Sequence, residues 1–218
     1  YGLIFTPFVA MASYRWQMRL ALALGIIAIV YPMLRNFGVV PVDAILAKAQ
    51  AFSPERAQSL GFRFTNEGLM LDRAAEKPWF GWGGWGRNLV RHSETGEIVS
   101  IPDGRWILVF GTYGWVGYIA EMGLLAGPLV LLWSEIRKRA PADVSPYAAP
   151  LALMLAATLV DMLLNATLTP VTWLCVGSVL GYAERLRYPG LFEPKRALFE
   201  GQQAMAQQGV TNKPRSVI

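Results

Sequence analysis

The sequence has few charges and almost no cysteine or histidine. Only 16% of its 218 residues are charged, and it contains one cysteine and one histidine. Because soluble domains are typically about 25% charged, the low charge disfavours an ordinary soluble domain. Cys175 cannot form an internal disulfide, and its apolar surroundings predict a packing role. Tyr1 stands in an apolar segment without the charged start or the cleavage site of a signal peptide, so we expect the chain to lack its front.

Apolar residues dominate what is present. They make up 54% of the chain, and the mean hydropathy is +0.34. A membrane-crossing helix needs about 20 mostly apolar residues. The chain has one partial and four full candidates, at residues 1–12, 20–40, 115–133, 149–168 and 171–183. We therefore predict an all-α polytopic membrane protein, in which Pro32 kinks the second segment and Arg35 marks its interfacial end.

Basic residues beside these segments indicate how the chain crosses the membrane. Lys and Arg cluster on the cytoplasmic side of membrane proteins. If every segment crosses once, three basic clusters share one side: Arg15 with Arg19, residues 137–139, and Arg185 with Arg187. The predicted division is membrane helices at 1–38 with the first truncated, a large periplasmic loop at 39–112, three transmembrane helices at 113–187, and a disordered cytoplasmic tail at 188–218.

The large loop is predicted to contain two amphipathic helices. The longer one covers residues 54–76, because Ser53 suits the N-cap, Pro54 suits the first helical position and Pro78 follows the end. The shorter one covers residues 41–52.

The longer helix leads into an unusual stretch, PWFGWGGWGRN, at residues 78–88. Its tryptophans, Trp79, Trp82 and Trp85, alternate with glycines. Tryptophan favours the membrane–water interface, and glycine lets the backbone approach a ligand or a neighbouring chain closely. We expect an interfacial loop, and anchoring alone would account for the tryptophans.

Two glycine patterns lie at fixed distances from charged residues. Fourteen residues separate Arg63 from P-x-x-G-x-G at 78–83, and nine residues separate Asp103-Gly104 from G-x-x-G at 114–117. In this order, the patterns resemble the O-antigen ligase and polymerase family of bacterial membrane glycosyltransferases. In that family an arginine begins a periplasmic helix that ends in P-x-x-G-x-G, and a His-[Asn/Ser/Gln]-x9-Gly-x-x-Gly motif follows.

The match covers roughly residues 20–187 and has one departure. Asp103 stands where the ligases have histidine, and Gly104 stands where they have Asn, Ser or Gln. The aspartate looks more like the polymerase-type branch and leaves the acceptor open. His92, the only histidine, lies eleven residues too early, and we expect it to be an ordinary solvated loop residue.

The resemblance implies a reaction on the periplasmic side of the bacterial inner membrane. A glycan leaves an undecaprenyl diphosphate carrier and joins a hydroxyl on a saccharide or a lipid, without a metal or cofactor. Arg63, together with Arg56, is the implied diphosphate clamp, because guanidinium binds phosphate oxygens in a bidentate manner. Asp103 is the implied catalytic base or orienting group. Further implied substrate-binding residues are Arg87, Arg91, Trp82, Gly81 and Gly83.

Each of these roles has a structural alternative. Arg63 could form a surface pair with Glu67, four residues on. Asp103 could cap the helix that starts at Gly104 or Arg105. Arg105 could contact phosphate or be a solvated loop charge, and Asp161 could be functional at membrane depth or merely hydrogen-bond across helices.

A different class of function also fits the composition. A lipid-linked glycan flippase or transporter subunit would use the same arginines to bind head groups. Transporters often have internal repeats and broken helices, and the sequence indicates neither. Nucleic-acid binding is disfavoured despite a pI of about 9.5, because the basic residues flank membrane segments rather than forming one patch.

Overall fold

The structure is a computed structural model that describes residues 11–192. Over this range it is helical and has no β-strand, only an isolated bridge between Arg91 and Ile98. The α-helices are α1 (Tyr14–Asn36), α2 (Val42–Phe52), α3 (Pro54–Ala75), α4 (Arg105–Ile136), α5 (Ala148–Asp161), α6 (Pro170–Arg187) and α7 (Pro189–Phe192). The predicted all-α class is thereby confirmed for the described residues.

Two of these helices are long and apolar enough to cross a membrane, α1 with 23 residues and α4 with 32. Helix α5 is apolar but has only 14 residues, so it ends at Asp161 rather than at the predicted 168. The segment expected at 1–12 lies almost wholly outside the described residues.

The core forms where α1, α4, α5 and α6 pack together. Helix α1 packs against α5, and α4 packs against α6. Leu125, Leu129 and Leu132 of α4 are fully buried, and so are Ala152 and Ala156 of α5. Small residues at these contacts let helix backbones approach closely, as in membrane helix bundles.

The two helices predicted in the loop are present. Helix α3 begins at Pro54 as expected, and the Ser53 hydroxyl accepts a hydrogen bond from the Arg56 backbone N–H at 3.5 Å. Helix α2 lies against α3, and α3 also packs on α4. These contacts fix α3, which carries Arg63, against the helix that follows Asp103.

The segment predicted as a disordered tail begins with a helical turn, α7. The remainder of that segment, residues 193–218, lies outside the described residues.

Helix α4 is broken at Gly114, whose φ and ψ are 65° and −161°. Arg105 Nε lies 2.6 Å from Glu121 Oε1, although these residues would be about 24 Å apart along a straight helix. The half-helix before Gly114 therefore folds back against the half that follows it. The sequence did not indicate this break, because a glycine inside an apolar run does not reveal that its φ is positive.

Candidate functional site

The break in α4 is bridged by the first part of the Trp/Gly loop, as we call residues 78–88. Breaking a helix leaves N–H and C=O groups without their usual partners. Here the loop backbone supplies them. Trp115 N–H donates to Pro78 C=O at 2.7 Å, Val116 N–H to Trp79 C=O at 3.2 Å, Trp82 N–H to Gly111 C=O at 2.9 Å and Gly83 N–H to Thr112 C=O at 2.8 Å.

Two motif glycines are required by this contact. A Cβ on Gly81 would lie 2.5 Å from Thr112 C and O, and a Cβ on Gly114 would lie 2.5 Å from Pro78 O. Both glycines also have positive φ, at 67° and 65°. Gly83 has a φ of 72° and lies against the Arg87 guanidinium. These glycines thus let one backbone lie directly on another.

The structure brings Arg63 and Asp103 together. Arg63 Nε lies 3.6 Å from Asp103 Oδ2, and the two side chains are 35% and 33% exposed. Helix α3 supplies the arginine, and the turn before α4 supplies the acid. Gly104, not Asp103, is the N-cap of α4, and no side chain caps it. The capping interpretation of Asp103 is therefore wrong, because the acid is turned toward Arg63.

Glu67 pairs with Arg35 rather than with Arg63. Arg35 Nε lies 3.3 Å from Glu67 Oε2, and Arg35 Nη2 donates to the Phe64 carbonyl at 3.2 Å. The alternative in which Arg63 forms a surface pair with Glu67 is thus wrong, because the Glu67 side chain is only 8% exposed and faces α1. Burial raises the pKa of Glu67, the Arg35 charge opposes the shift, and the nearby Asp103 charge adds to it.

Sequence reasoning missed the Arg35–Glu67 pair that lies behind the candidate site. Arg35 carried a signal as a charge at the end of an apolar segment. Its partner is 32 residues away, so no local spacing could have identified it.

The other predicted arginines are not beside Arg63 and Asp103. Arg56 is exposed in the first turn of α3. Arg87 and Arg91 line an open cavity together with Arg73 and Trp82. The site predicted from the motifs is therefore divided into an Arg63–Asp103 pair and a separate arginine cluster.

The three loop tryptophans have different environments. The Trp82 indole N–H donates to the Arg73 carbonyl at 2.8 Å, and the Arg73 guanidinium carbon lies 3.4 Å from the Trp82 ring centroid. Trp79 and Trp85 are 67% and 97% exposed. The anchoring interpretation suits the two exposed rings, whereas Trp82 holds a cation in place.

Three further candidates have structural partners. Arg105 forms a two-bond pair with Glu121, at 2.6 and 2.9 Å, so it is not a solvated loop charge. Asp161 accepts from the Asn165 amide at 3.0 Å within its own turn, not across helices. His92 is exposed in its loop, as predicted, and its Nδ1 accepts from the Glu94 backbone N–H at 3.3 Å.

No protein-family model, curated protein or solved structure matches this chain. Within residues 11–192, no group of three or more His, Cys, Asp or Glu side chains is arranged to hold a metal ion. A functional assignment therefore depends on the geometry of the pair and on the motif resemblance.

Proposed function

We propose that the protein is a membrane glycosyltransferase that moves a glycan from an undecaprenyl diphosphate carrier to a saccharide or lipid hydroxyl, as an O-antigen ligase or polymerase. One observation carries the proposal. Arg63 and Asp103, which the two motifs single out forty residues apart, lie 3.6 Å from each other with about a third of each side chain exposed.

Arg63 is suited to the leaving diphosphate. Negative charge develops on this group as the glycosidic bond breaks, and a fixed cation stabilises it. Arginine remains charged at any physiological pH and binds phosphate oxygens through two N–H groups. Arg35 pairs with Glu67 at 3.3 Å and is 14% exposed, whereas Arg63 is 35% exposed, so Arg63 is the more accessible of these two cations.

Asp103 is suited to the acceptor hydroxyl. Its 3.6 Å separation from Arg63 exceeds the usual hydrogen-bond distance of about 2.7–3.2 Å. Both groups can therefore still form hydrogen bonds to a substrate. In the proposed step the acceptor oxygen attacks the anomeric carbon and its proton passes to the Asp103 carboxylate. The bond to the diphosphate oxygen breaks, and its electron pair leaves with the diphosphate beside Arg63.

The proposed location is a bacterial inner membrane, with the site on the periplasmic side. Helices α1 and α4 are two of the proposed crossings. Arg139 donates to the Leu186 carbonyl, so the basic residues at 137–139 lie beside Arg185 and Arg187 at one end of the bundle. This common end is the proposed cytoplasmic face.

Helix α5 is short for a membrane crossing, but the start of α4 contacts the residues that follow its end. Its 14 residues extend about 21 Å, less than the roughly 30 Å hydrocarbon core. The Arg105 backbone N–H, at the start of α4, donates to Met162 C=O at 2.9 Å and Asn165 C=O at 3.2 Å. We propose that the first half of α4 continues the path of α5 through the membrane, with α6 as the last crossing.

The test is transfer of a labelled glycan from undecaprenyl diphosphate by the full-length parent protein reconstituted in lipid. Arg63→Ala and Asp103→Ala should abolish transfer while leaving insertion normal. Polymer formation would identify a polymerase, and a single addition would identify a ligase. If the variants are as active as the parent, Arg63 and Asp103 are not catalytic and the motif has only a structural role.

A flippase or transporter subunit is the second candidate, and the break at Gly114 favours it, because interrupted helices often form transporter substrate sites. Carrier movement across the bilayer without transfer, measured by accessibility of the labelled glycan to an external enzyme, would support this candidate.

A further inference from the structure

The cavity containing Arg73, Arg87 and Arg91 is separate from the Arg63–Asp103 pair. It is open to solvent and has a volume of about 580 Å³. It lies between the end of α3 and the Trp/Gly loop with the residues that directly follow this loop. Arg73 follows Arg63 by ten residues, which is roughly 15 Å along the helix axis. Asp72 follows Arg63 by nine residues and therefore points to the opposite side of the helix. One ligand group cannot touch both sites at once.

Two arginines of this cavity, Arg87 and Arg91, are held in place without being neutralised. Arg87 Nε donates to the Gly84 carbonyl at 3.2 Å, and Arg91 Nη1 donates to the Gly96 carbonyl at 3.0 Å. Neither arginine forms an ion pair with a carboxylate in the described part of the chain. Each retains further N–H donors, and a guanidinium already held by a backbone carbonyl loses little entropy on binding.

Arg73 is positioned in a third way. Its guanidinium lies over the Trp82 ring, 3.4 Å from the centroid, and pairs with Glu76 at 2.9 Å. Asp72 also lines the cavity. Three arginines against two carboxylates leave one net positive charge.

The mixed lining favours a sugar over a lipid phosphate. Asp72 and Glu76 can accept hydrogen bonds from sugar hydroxyls, which a lipid phosphate group lacks. Arg87 and Arg91 can bind a carboxylate through two N–H groups each. Leu89 and Val90 provide apolar surface for the C–H face of a sugar ring, and the volume is in the usual range of roughly 300–1,000 Å³ for small-ligand sites.

We propose that this cavity binds a saccharide carrying a carboxylate, such as a uronic acid unit of the glycan chain, with the carboxylate at Arg87 and Arg91. The proposal deepens the proposed function by naming the kind of glycan, but its test measures binding alone. Failure here would therefore leave the transfer reaction at Arg63 and Asp103 untouched.

The test is binding of trigalacturonate to the full chain in phosphatidylcholine nanodiscs, by calorimetry. The fully methyl-esterified trisaccharide is the matched neutral probe. We expect the acid form to bind and the ester to bind at least about tenfold more weakly, because hydrogen bonds to a charged group are worth more than neutral ones. Equal binding of the two forms, or binding of neither, would overturn the proposal.

Two variants test where the carboxylate binds. Arg87→Gln/Arg91→Gln should weaken trigalacturonate binding at least about tenfold. Arg137→Gln/Arg185→Gln removes two exposed arginines elsewhere and should not change it. If the double cavity variant does not fold, Arg91→Gln alone should weaken binding about threefold. Unchanged binding in the cavity variants would contradict the assignment, as would displacement of the sugar when phosphatidylglycerol replaces phosphatidylcholine, which would indicate a lipid headgroup site.

Discussion

The junction at Gly114 and the Arg63–Asp103 pair lie at opposite ends of the first half of α4, and they are held together differently. At the junction, the Trp/Gly loop contacts α4 through backbone hydrogen bonds of 2.7 to 3.2 Å, and the two glycines leave no space for a Cβ. The pair consists of two side chains that are one-third exposed and 3.6 Å apart. The first region is therefore expected to determine the fold, and the second to determine function with little effect on folding.

The largest effect is expected at the junction. Gly114→Ala should destabilise the protein by about 3 kcal/mol or more, because its backbone conformation is accessible almost only to glycine and the new methyl group would overlap Pro78 O. Gly123→Ala is the matched control in the same helix, where a Cβ has nothing within 4 Å. It should be neutral or slightly stabilising. Thermal unfolding in detergent, followed by circular dichroism, measures both, and equal losses would contradict the comparison.

The next effect is expected at the buried Arg35–Glu67 pair. Arg35→Gln should cost about 3 kcal/mol at neutral pH, because it leaves an unpaired buried carboxylate. The double variant Arg35→Gln/Glu67→Gln should recover part of this loss, and unfolding in denaturant measures both.

The same variant should show a pH dependence. Burial already raises the pKa of Glu67 above its unfolded value, and Arg35 opposes that shift. Removing Arg35 should raise the pKa further. The Arg35→Gln protein should therefore be most stable below the unfolded pKa of about 4.3, and lose stability as the pH rises through the folded pKa. A loss that is independent of pH would show that Glu67 is not the buried charge responsible.

A smaller effect is expected at Arg105 and Glu121, which join the two halves of α4. Glu121→Gln replaces one bond of a partly buried charged pair and should cost about 1–2 kcal/mol. Unfolding measurements should show this loss with helical content unchanged. A loss as large as that of Gly114→Ala would mean that the side-chain pair, rather than the backbone contact, maintains the folded-back geometry.

The smallest effect on stability is expected at the proposed active site. Arg63→Gln and Asp103→Asn should each change the unfolding free energy by less than about 1 kcal/mol, because a partly exposed ion pair contributes little. A double-mutant cycle gives their coupling. A coupling of several kcal/mol would assign the pair to the framework of the fold.

Local sequence signals predicted the helices well and the contacts between them poorly. Ser53 and Pro54 located the start of α3 because helix caps depend on neighbouring residues. The periodic spacing of Arg63 and Glu67 suggested an ion pair, but Arg35 lies closer to Glu67 once α1 packs nearby. The resemblance implied that Gly81 and Gly83 bind substrate, but it did not indicate that Gly81 lies directly against the Thr112 backbone. Such long-range contacts have no signature in a single sequence.

The most direct test of the central claim is the single-turnover transfer rate of the full-length parent with Arg63→Gln, compared with Lys48→Gln, an exposed control on α2. Both rates are normalised to folded protein in the same lipid. We predict a loss of at least about a hundredfold for Arg63→Gln, since removing one charge-stabilising group typically costs that much, and no loss for Lys48→Gln. Equal rates in the two variants would contradict the assignment of the Arg63–Asp103 pair as the catalytic site.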